Sequence, residues 1–203
     1  RRAGTVYLPA MYRLPALLLA LLLTAPLTAP AALAQAVSYA LDRETSLVGF
    51  AFDLTGGSEI KGNMPVAAAE IALDVDTLEQ SRAIVTLDTR RAITEQAFAT
   101  DAMLGPNVLA ADDFPTIRFE ATRITGNVNE ARVEGRVTIK GVTRPITLDA
   151  QVFRQRGTEA GDLSRLSVFM TGRVDRRDFG ADGFPQFVGP EIRIEILTRL
   201  TRS

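Results

Sequence analysis

The sequence predicts an all-β domain of about eight to ten antiparallel strands, a barrel or a sandwich, interrupted by one short helix. Three observations predict it. Apolar residues recur with a period of two from Val37 onward, the repeat of a strand with one face buried and one face wet. Only the stretch Thr94 to Leu104 changes to a helical spacing, and no linker rich in Ser or Gly divides the chain, so one domain is expected.

Ahead of that domain lies a leader of different composition. Met11-Tyr12-Arg13 makes a positively charged start, Leu14 to Leu23 is almost wholly aliphatic, and Ala32-Leu33-Ala34 places small residues before Gln35. That is the pattern of a secretory signal. Residues 1–34 are expected to be leader and signal peptide, with Met11 as the start, cleavage after Ala34, a mature domain over 35–203 and export to a periplasm. An uncleaved anchor is the rival, since Leu14 to Ala36 carries no charge, but Pro15, Pro26 and Pro30 break the stretch and its apolar core is shorter than the ~20 residues a span needs.

The strands follow in order. Val48, Phe50, Phe52 and Leu54 alternate with Gly49, Ala51 and Asp53. Ala83, Val85 and Leu87 alternate with Arg82, Thr86 and Asp88, with Ile84 breaking the pattern as in a strand covered on both faces. Thr94 is expected to N-cap the helix and Pro106 to end it. Ile117, Phe119 and Ala121 then alternate with Arg118, Glu120 and Thr122. Val133, Gly135, Val137 and Ile139 face away from Arg132, Glu134, Arg136 and Thr138, and Lys140 to Thr143 reads as the turn into a strand carrying Ile146, Leu148, Ala150 and Val152 on one face. After a polar loop from Gln155 to Asp162 come Leu166, Val168, Met170, Gly172 and Val174. The last strand carries Ile192, Ile194 and Ile196 and ends near Arg202.

A filled sandwich and a hollow barrel both put one apolar face on each strand, so the alternation does not separate them. Composition favours the barrel. There is no Trp and no Cys pair to pin two sheets together, and closure removes the exposed edges that an exported, strand-rich chain would otherwise have to manage.

Composition also narrows function. Without Cys there is no disulfide framework and no thiolate chemistry; without His there is no Ser-His-Asp triad, and most zinc sites are excluded. Lys and Arg number 23 against 24 for Asp and Glu, and Arg1, Arg2 and Arg13 belong to the leader, so the body is acidic. It offers no basic footprint for nucleic acid.

Four segments resemble a known family in order and spacing. They are Leu41-Asp42-Arg43-Glu44-Thr45-Ser46-Leu47-Val48-Gly49-Phe50, then Asp113-Phe114-Pro115-Thr116-Ile117-Arg118-Phe119, then Val133 to Ile146 with Gly141-Val142-Thr143-Arg144-Pro145 at its heart, and Asp175-Arg176-Arg177-Asp178-Phe179-Gly180. Over roughly Val37 to Ser203 the chain resembles the YceI-like family of exported polyisoprenoid-binding proteins. The resemblance implies a lipocalin-like antiparallel β-barrel of about eight strands with a short helical insertion. It also implies a polyprenyl or quinone-like lipid as ligand; with no His and no recognisable constellation of catalytic or ligating residues, no enzyme activity, metal or resident cofactor is expected. This chain departs from the family where histidine is common: at Thr45, near Leu54, and in the stretch Thr100-Asp101-Ala102-Met103-Leu104.

The expected lining of the interior is the larger inward-facing set: Val48, Phe50, Phe52, Ile117, Phe119, Val137, Ile139, Ile146, Leu148, Val168, Met170, Ile192 and Ile194. Ordinary core packing is the alternative for each. Arg176 and Arg177 are candidates for a headgroup phosphate or quinone oxygen, since Arg offers a fork of donors, against the plainer reading of a solvated charge run. Transient membrane contact and a homodimer are both compatible with this reading. Asp178-Phe179-Gly180 spells a kinase metal triplet but lacks the rest of that machinery, and reads as a turn with Phe179 packed and Gly180 supplying a permissive backbone. Asp74-Val75-Asp76 and Asp112-Asp113 lack the ligand count of a calcium loop and read as turns. Two other functions compete: an enzyme using Asp101 or Asp178 as base within the barrel, and a ligand-free partner module with a filled interior.

Overall fold

In the strand Ala131–Ile139 the residues Ala131, Val133, Gly135 and Val137 are buried, while Arg132 and Arg136 are exposed. Its neighbour buries Ile146, Leu148 and Ala150 between exposed Thr147, Asp149 and Gln151. Such strands bury one face against a shared interior. The computed structural model describes residues 36–127, 129–159 and 161–203, so the expected leader and its cleavage site lie outside the described residues.

In chain order the strands are β1 (Val37–Leu41), β2 (Leu47–Leu54), β3 (Glu59–Met64), β4 (Val66–Leu73), β5 (Arg82–Asp88) and β6 (Ile93–Thr94). The helix α1 (Ala97–Leu104) follows, then β7 (Thr116–Gly126), β8 (Ala131–Ile139), β9 (Val142–Arg154), β10 (Arg165–Asp175) and β11 (Val188–Arg202). All pairings are antiparallel. Eight strands close a ring in the order β1, β4, β5, β7, β8, β9, β10, β11, with β11 returning to β1 through Tyr39 opposite Arg202 and Leu41 opposite Leu200. The antiparallel barrel expected from the sequence is therefore the fold, and the sandwich is excluded.

The 15-residue β11 is the seam. One side runs along β10; the other gives its C-terminal end to β1 and its N-terminal part to β2, from which β3 and β6 extend the sheet. Among the described residues there are eleven strands, more than expected, because two long strands are each broken in the middle. Between β1 and β2 the Asp42 carboxylate gathers the Glu44 and Thr45 amides into a turn. Between β3 and β4 stands only Pro65, which has no N–H for a ladder. Each break lets one strand serve two neighbours.

The β8–β9 connection is tighter than expected. Lys140 and Gly141 have φ of 49° and 75°, both left-handed, and Ile139 pairs directly with Val142, so the strand resumes where the turn was expected to continue. Positive φ at both central residues is the primed hairpin turn whose twist matches its strands. Thr94 is not the helix cap. It lies in β6 opposite Gly62, and its hydroxyl donates to the Gln96 carbonyl and lies 3.0 Å from the Thr100 hydroxyl, so the helix starts only at Ala97.

The two ends of the barrel differ. Tyr39, Leu78, Leu166 and Leu200 are buried at one, where the Tyr39 hydroxyl donates to the Leu163 carbonyl at 2.9 Å. At the other gather α1, the β8–β9 turn and the segment between β10 and β11: the Lys140 ammonium donates to the Gly180 carbonyl at 2.8 Å, and the Gly183 amide to the Asn107 carbonyl at 2.9 Å.

Candidate functional site

The inward faces enclose an apolar cavity of about 680 Å³. All thirteen residues singled out in the sequence lie on its wall. Val48, Phe50 and Phe52 come from β2, Ile117 and Phe119 from β7, Val137 and Ile139 from β8. Ile146 and Leu148 come from β9, Val168 and Met170 from β10, Ile192 and Ile194 from β11. The period of two puts them there, because successive side chains of a strand leave opposite faces.

Two glycines on the same face make room for the aromatic rings. Gly62 on β3 stands opposite Phe50, and a Cβ at Gly62 would overlap that ring. A Cβ at Gly135 would come within 2.5 Å of the Phe119 ring. The rings therefore lie back against bare backbone, which keeps the middle of the barrel open.

Other wall residues were not legible as such. Met64, Ile60 and Ile71 come from β3 and β4, where Ala67, Ala68 and Ala69 blur the alternation. Phe98 and Met103 come from α1, and Phe184 and Phe187 from the segment before β11, which has no periodicity. The one available signal was a pair of aromatics in a Gly-Phe-Pro-Gln-Phe run, where turn residues are the rule.

Among the described residues the wall carries one ionisable group, Arg176, together with Thr55 and Thr198. The Thr198 hydroxyl is 3.4 Å from the Val168 carbonyl. Arg176 is not part of a solvated charge run. It is only 7% exposed, and its guanidinium donates to four backbone carbonyls. Nε reaches Gly189 at 2.9 Å, Nη1 reaches Ala181 at 2.6 Å and Gly183 at 2.8 Å, and Nη2 reaches Val188 at 2.9 Å. Four of five donors are thus committed, so Arg176 holds the segment 181–189 and has one N–H left for anything in the cavity. Burial pushes the guanidinium below its ordinary pKa, against the pull of the Asp182 and Asp175 carboxylates.

Arg177 is off the wall altogether. It is exposed and bonds the Asp175 carboxylate through Nε at 3.0 Å and Nη2 at 2.6 Å. Those hydrogen bonds hold the Asp175 carboxyl down at about 2. Asp175 also accepts from the Arg177 amide and so starts a 3-10 turn over Arg176–Phe179. Phe179 is buried there and Gly180 has φ of 66°, the turn geometry expected of this triplet.

The acidic candidates lie elsewhere. Asp101 and Asp178 are exposed, and neither reaches the wall. Asp74 is buried and its Oδ1 accepts the Asp76 and Thr77 amides at 3.1 and 2.8 Å, a turn as expected. Among the described residues no group of three or more acidic side chains is placed to hold a metal ion. On the outside of β2, β3 and β11 the Arg193 guanidinium bridges Asp53 and Glu59 at 2.6–2.7 Å, and these bonds lower the pKa of both carboxyls.

Comparison with known proteins agrees with this architecture. The model of the YceI-like domain matches residues 39–200. A UPF0312 protein of Vibrio cholerae is 27% identical over 167 residues, which cover 80% of this chain and 88% of the relative. Protein YceI of Salmonella arizonae is 25% identical over 148 residues, covering 72% and 77%. Among solved structures, Burkholderia cenocepacia BcnA superposes with a TM-score of 0.66 at 18% identity over 79% of this chain and 99% of its own. A polyisoprenoid binding domain from Saccharophagus degradans superposes with a TM-score of 0.59 at 10% identity, over 82% and 99%. The matched segment runs from Tyr39 in β1 to Leu200 in β11, the two strands that meet at the seam, so all eight strands of the ring are represented in the match and the chain belongs to the YceI-like family.

Proposed function

We propose that this protein binds one amphiphilic isoprenoid, a polyprenyl or quinone-like lipid, with its tail inside the barrel, and carries it in the periplasm. The observation that carries the reading is a continuous apolar cavity running from Phe98 and Phe187 at one end to Leu78 and Leu200 at the other, with Arg176 as its one ionisable wall residue. Such an interior suits a long hydrocarbon with no polar group along its length. The Saccharophagus degradans domain, described as polyisoprenoid binding, supports the same ligand class.

The energetics suit carriage. Burying a tail gains about 0.8 kcal/mol per CH₂, so a few isoprene units exceed about 10 kcal/mol gross. Association and ordering of the tail cost about 4–15 kcal/mol, which leaves the affinity low enough for release. A filled interior would deny the tail its space; here Gly62 and Gly135 draw the Phe50 and Phe119 rings aside. The test is organic extraction of protein purified without added lipid, followed by mass spectrometry. A prenyl lipid is expected. Absence of any prenyl lipid, together with no uptake of added ubiquinone, overturns the reading. N-terminal sequencing of protein from a periplasmic fraction is expected to begin at Gln35.

A further inference from the structure

The cavity wall does not stop at the barrel's edge. Phe98 on α1 and Phe187 before β11 line the cavity while remaining 67% and 59% exposed, and Phe184 lines it at 38%. Apolar surface continuous with a cavity and open to water marks an interaction site more often than an accident of packing.

The rings are also held in place. Phe184 has φ of 57°, a left-handed conformation that a bulky side chain disfavours. Arg176 grips the segment from inside through the Ala181, Gly183, Val188 and Gly189 carbonyls, Lys140 grips Gly180, and the Thr55 amide donates to the Phe187 carbonyl at 2.9 Å. Strain kept at an exposed aromatic, on a segment so firmly tied, points to a use for the ring where it stands.

We propose that Phe98, Phe184 and Phe187 form a bilayer-docking rim, which inserts at the boundary of headgroups and acyl chains so that a tail passes between membrane and cavity without crossing water. This rests on the lipid-carrier reading above. The occupant is a lipid surface because the rim is continuous with an apolar cavity, and a guest must leave one apolar medium for another. Insertion at that depth is driven by buried apolar area. Charge contributes little: Arg177 is paired with Asp175, and the cations Lys140, Arg176 and Arg177 of this end are set against Asp101, Asp175, Asp178 and Asp182. Docking is therefore expected on neutral membranes and to be insensitive to salt, unlike attraction of a basic patch to anionic lipid.

The experiment is co-sedimentation of the mature chain with phosphatidylcholine vesicles at low and high salt. The wild type sediments at both. The double variant F98S/F187S loses about tenfold or more of its partitioning, while F153S, which removes an exposed Phe from the barrel's side, keeps it. Wild-type protein that stays in the supernatant, or a rim variant that sediments as well as wild type, overturns the proposal. So does an F153S loss equal to that of the rim variant. Circular dichroism melts establish that each variant is folded. As a second measurement, transfer of a fluorescent polyprenol from protein to vesicles speeds up with vesicle concentration if release occurs by collision; a rate independent of vesicle concentration overturns docking. Lipid found on extraction without vesicle binding sinks this inference alone, and vesicle binding by a protein that never holds lipid sinks the carrier reading alone.

Discussion

A guanidinium taken out of water needs compensation, and Arg176 finds it in four carbonyls on the segment it closes over. Methionine of similar reach would leave those carbonyls without their donor. Arg176→Met is expected to lower stability by about 2–4 kcal/mol, measured by urea denaturation. Lysine would not restore it, because an ammonium lacks the planar fork that meets several acceptors at once. Gly135 works by absence. A valine there would press Cβ against the Phe119 ring at 2.5 Å and the Glu120 carbonyl at 2.7 Å. Gly135→Val is expected to cost about 1–3 kcal/mol and to reduce the lipid recovered per mole of protein, read by mass spectrometry. Neither role was legible in the sequence, where Arg176 looked like half of a surface pair and Gly135 like one more member of an alternating row.

The segment between β10 and β11 shows the same principle at the size of an element. Its 3-10 turn is started by Asp175, whose carboxyl the Arg177 side chain holds at about 2 against an ordinary 3.8. A carboxyl depressed by folding stabilises the native state above its unfolded pKa, and that stabilisation is lost as pH falls from 3.8 through about 2. Asp53 and Glu59, lowered by Arg193, act in the same direction. The urea midpoint is therefore expected to fall as acid is added across this window, and Asp175→Asn to flatten part of the slope. Farther along, Phe184→Gly should release the left-handed strain and hold or raise stability by about 1 kcal/mol in the same assay, at the expense of vesicle binding. A clear loss of stability would mean the ring is there for packing. The helix beside this segment was anticipated, but its start was displaced because Thr94 is drawn into a two-residue strand by Gly62, a partner remote in sequence.

At the scale of the whole molecule, a barrel with an open interior lacks the close-packed centre that stabilises most domains of its size. On the carrier reading proposed above, a bound tail would supply the missing contacts. A ligand at about 100 times its Kd adds about 2.7 kcal/mol, so stripping the lipid by organic extraction and refolding is expected to lower Tm by about 5–10 °C. Adding back ubiquinone should restore it. An unchanged Tm, by calorimetry before and after extraction, would show that the guest contributes nothing to the fold.

Local chemistry by itself determined seven of the strands, their inward faces and the thirteen wall positions, because alternation with a period of two is written residue by residue and survives any arrangement of the sheet. It also determined that neither His nor Cys chemistry is available. Whether those faces closed on a filled or an open interior was decided only by the tertiary structure, since both have the same alternation. Closure depends on β11 meeting β1 from the far end of the chain, and openness on Gly62 and Gly135 lying against rings on neighbouring strands. The mouth was decided there too: Phe98, Phe184 and Phe187 share no periodicity, and the bonds of Arg176 to the segment after it, with the long-range bond from Lys140 to Gly180, help to shape the end of the barrel where they meet.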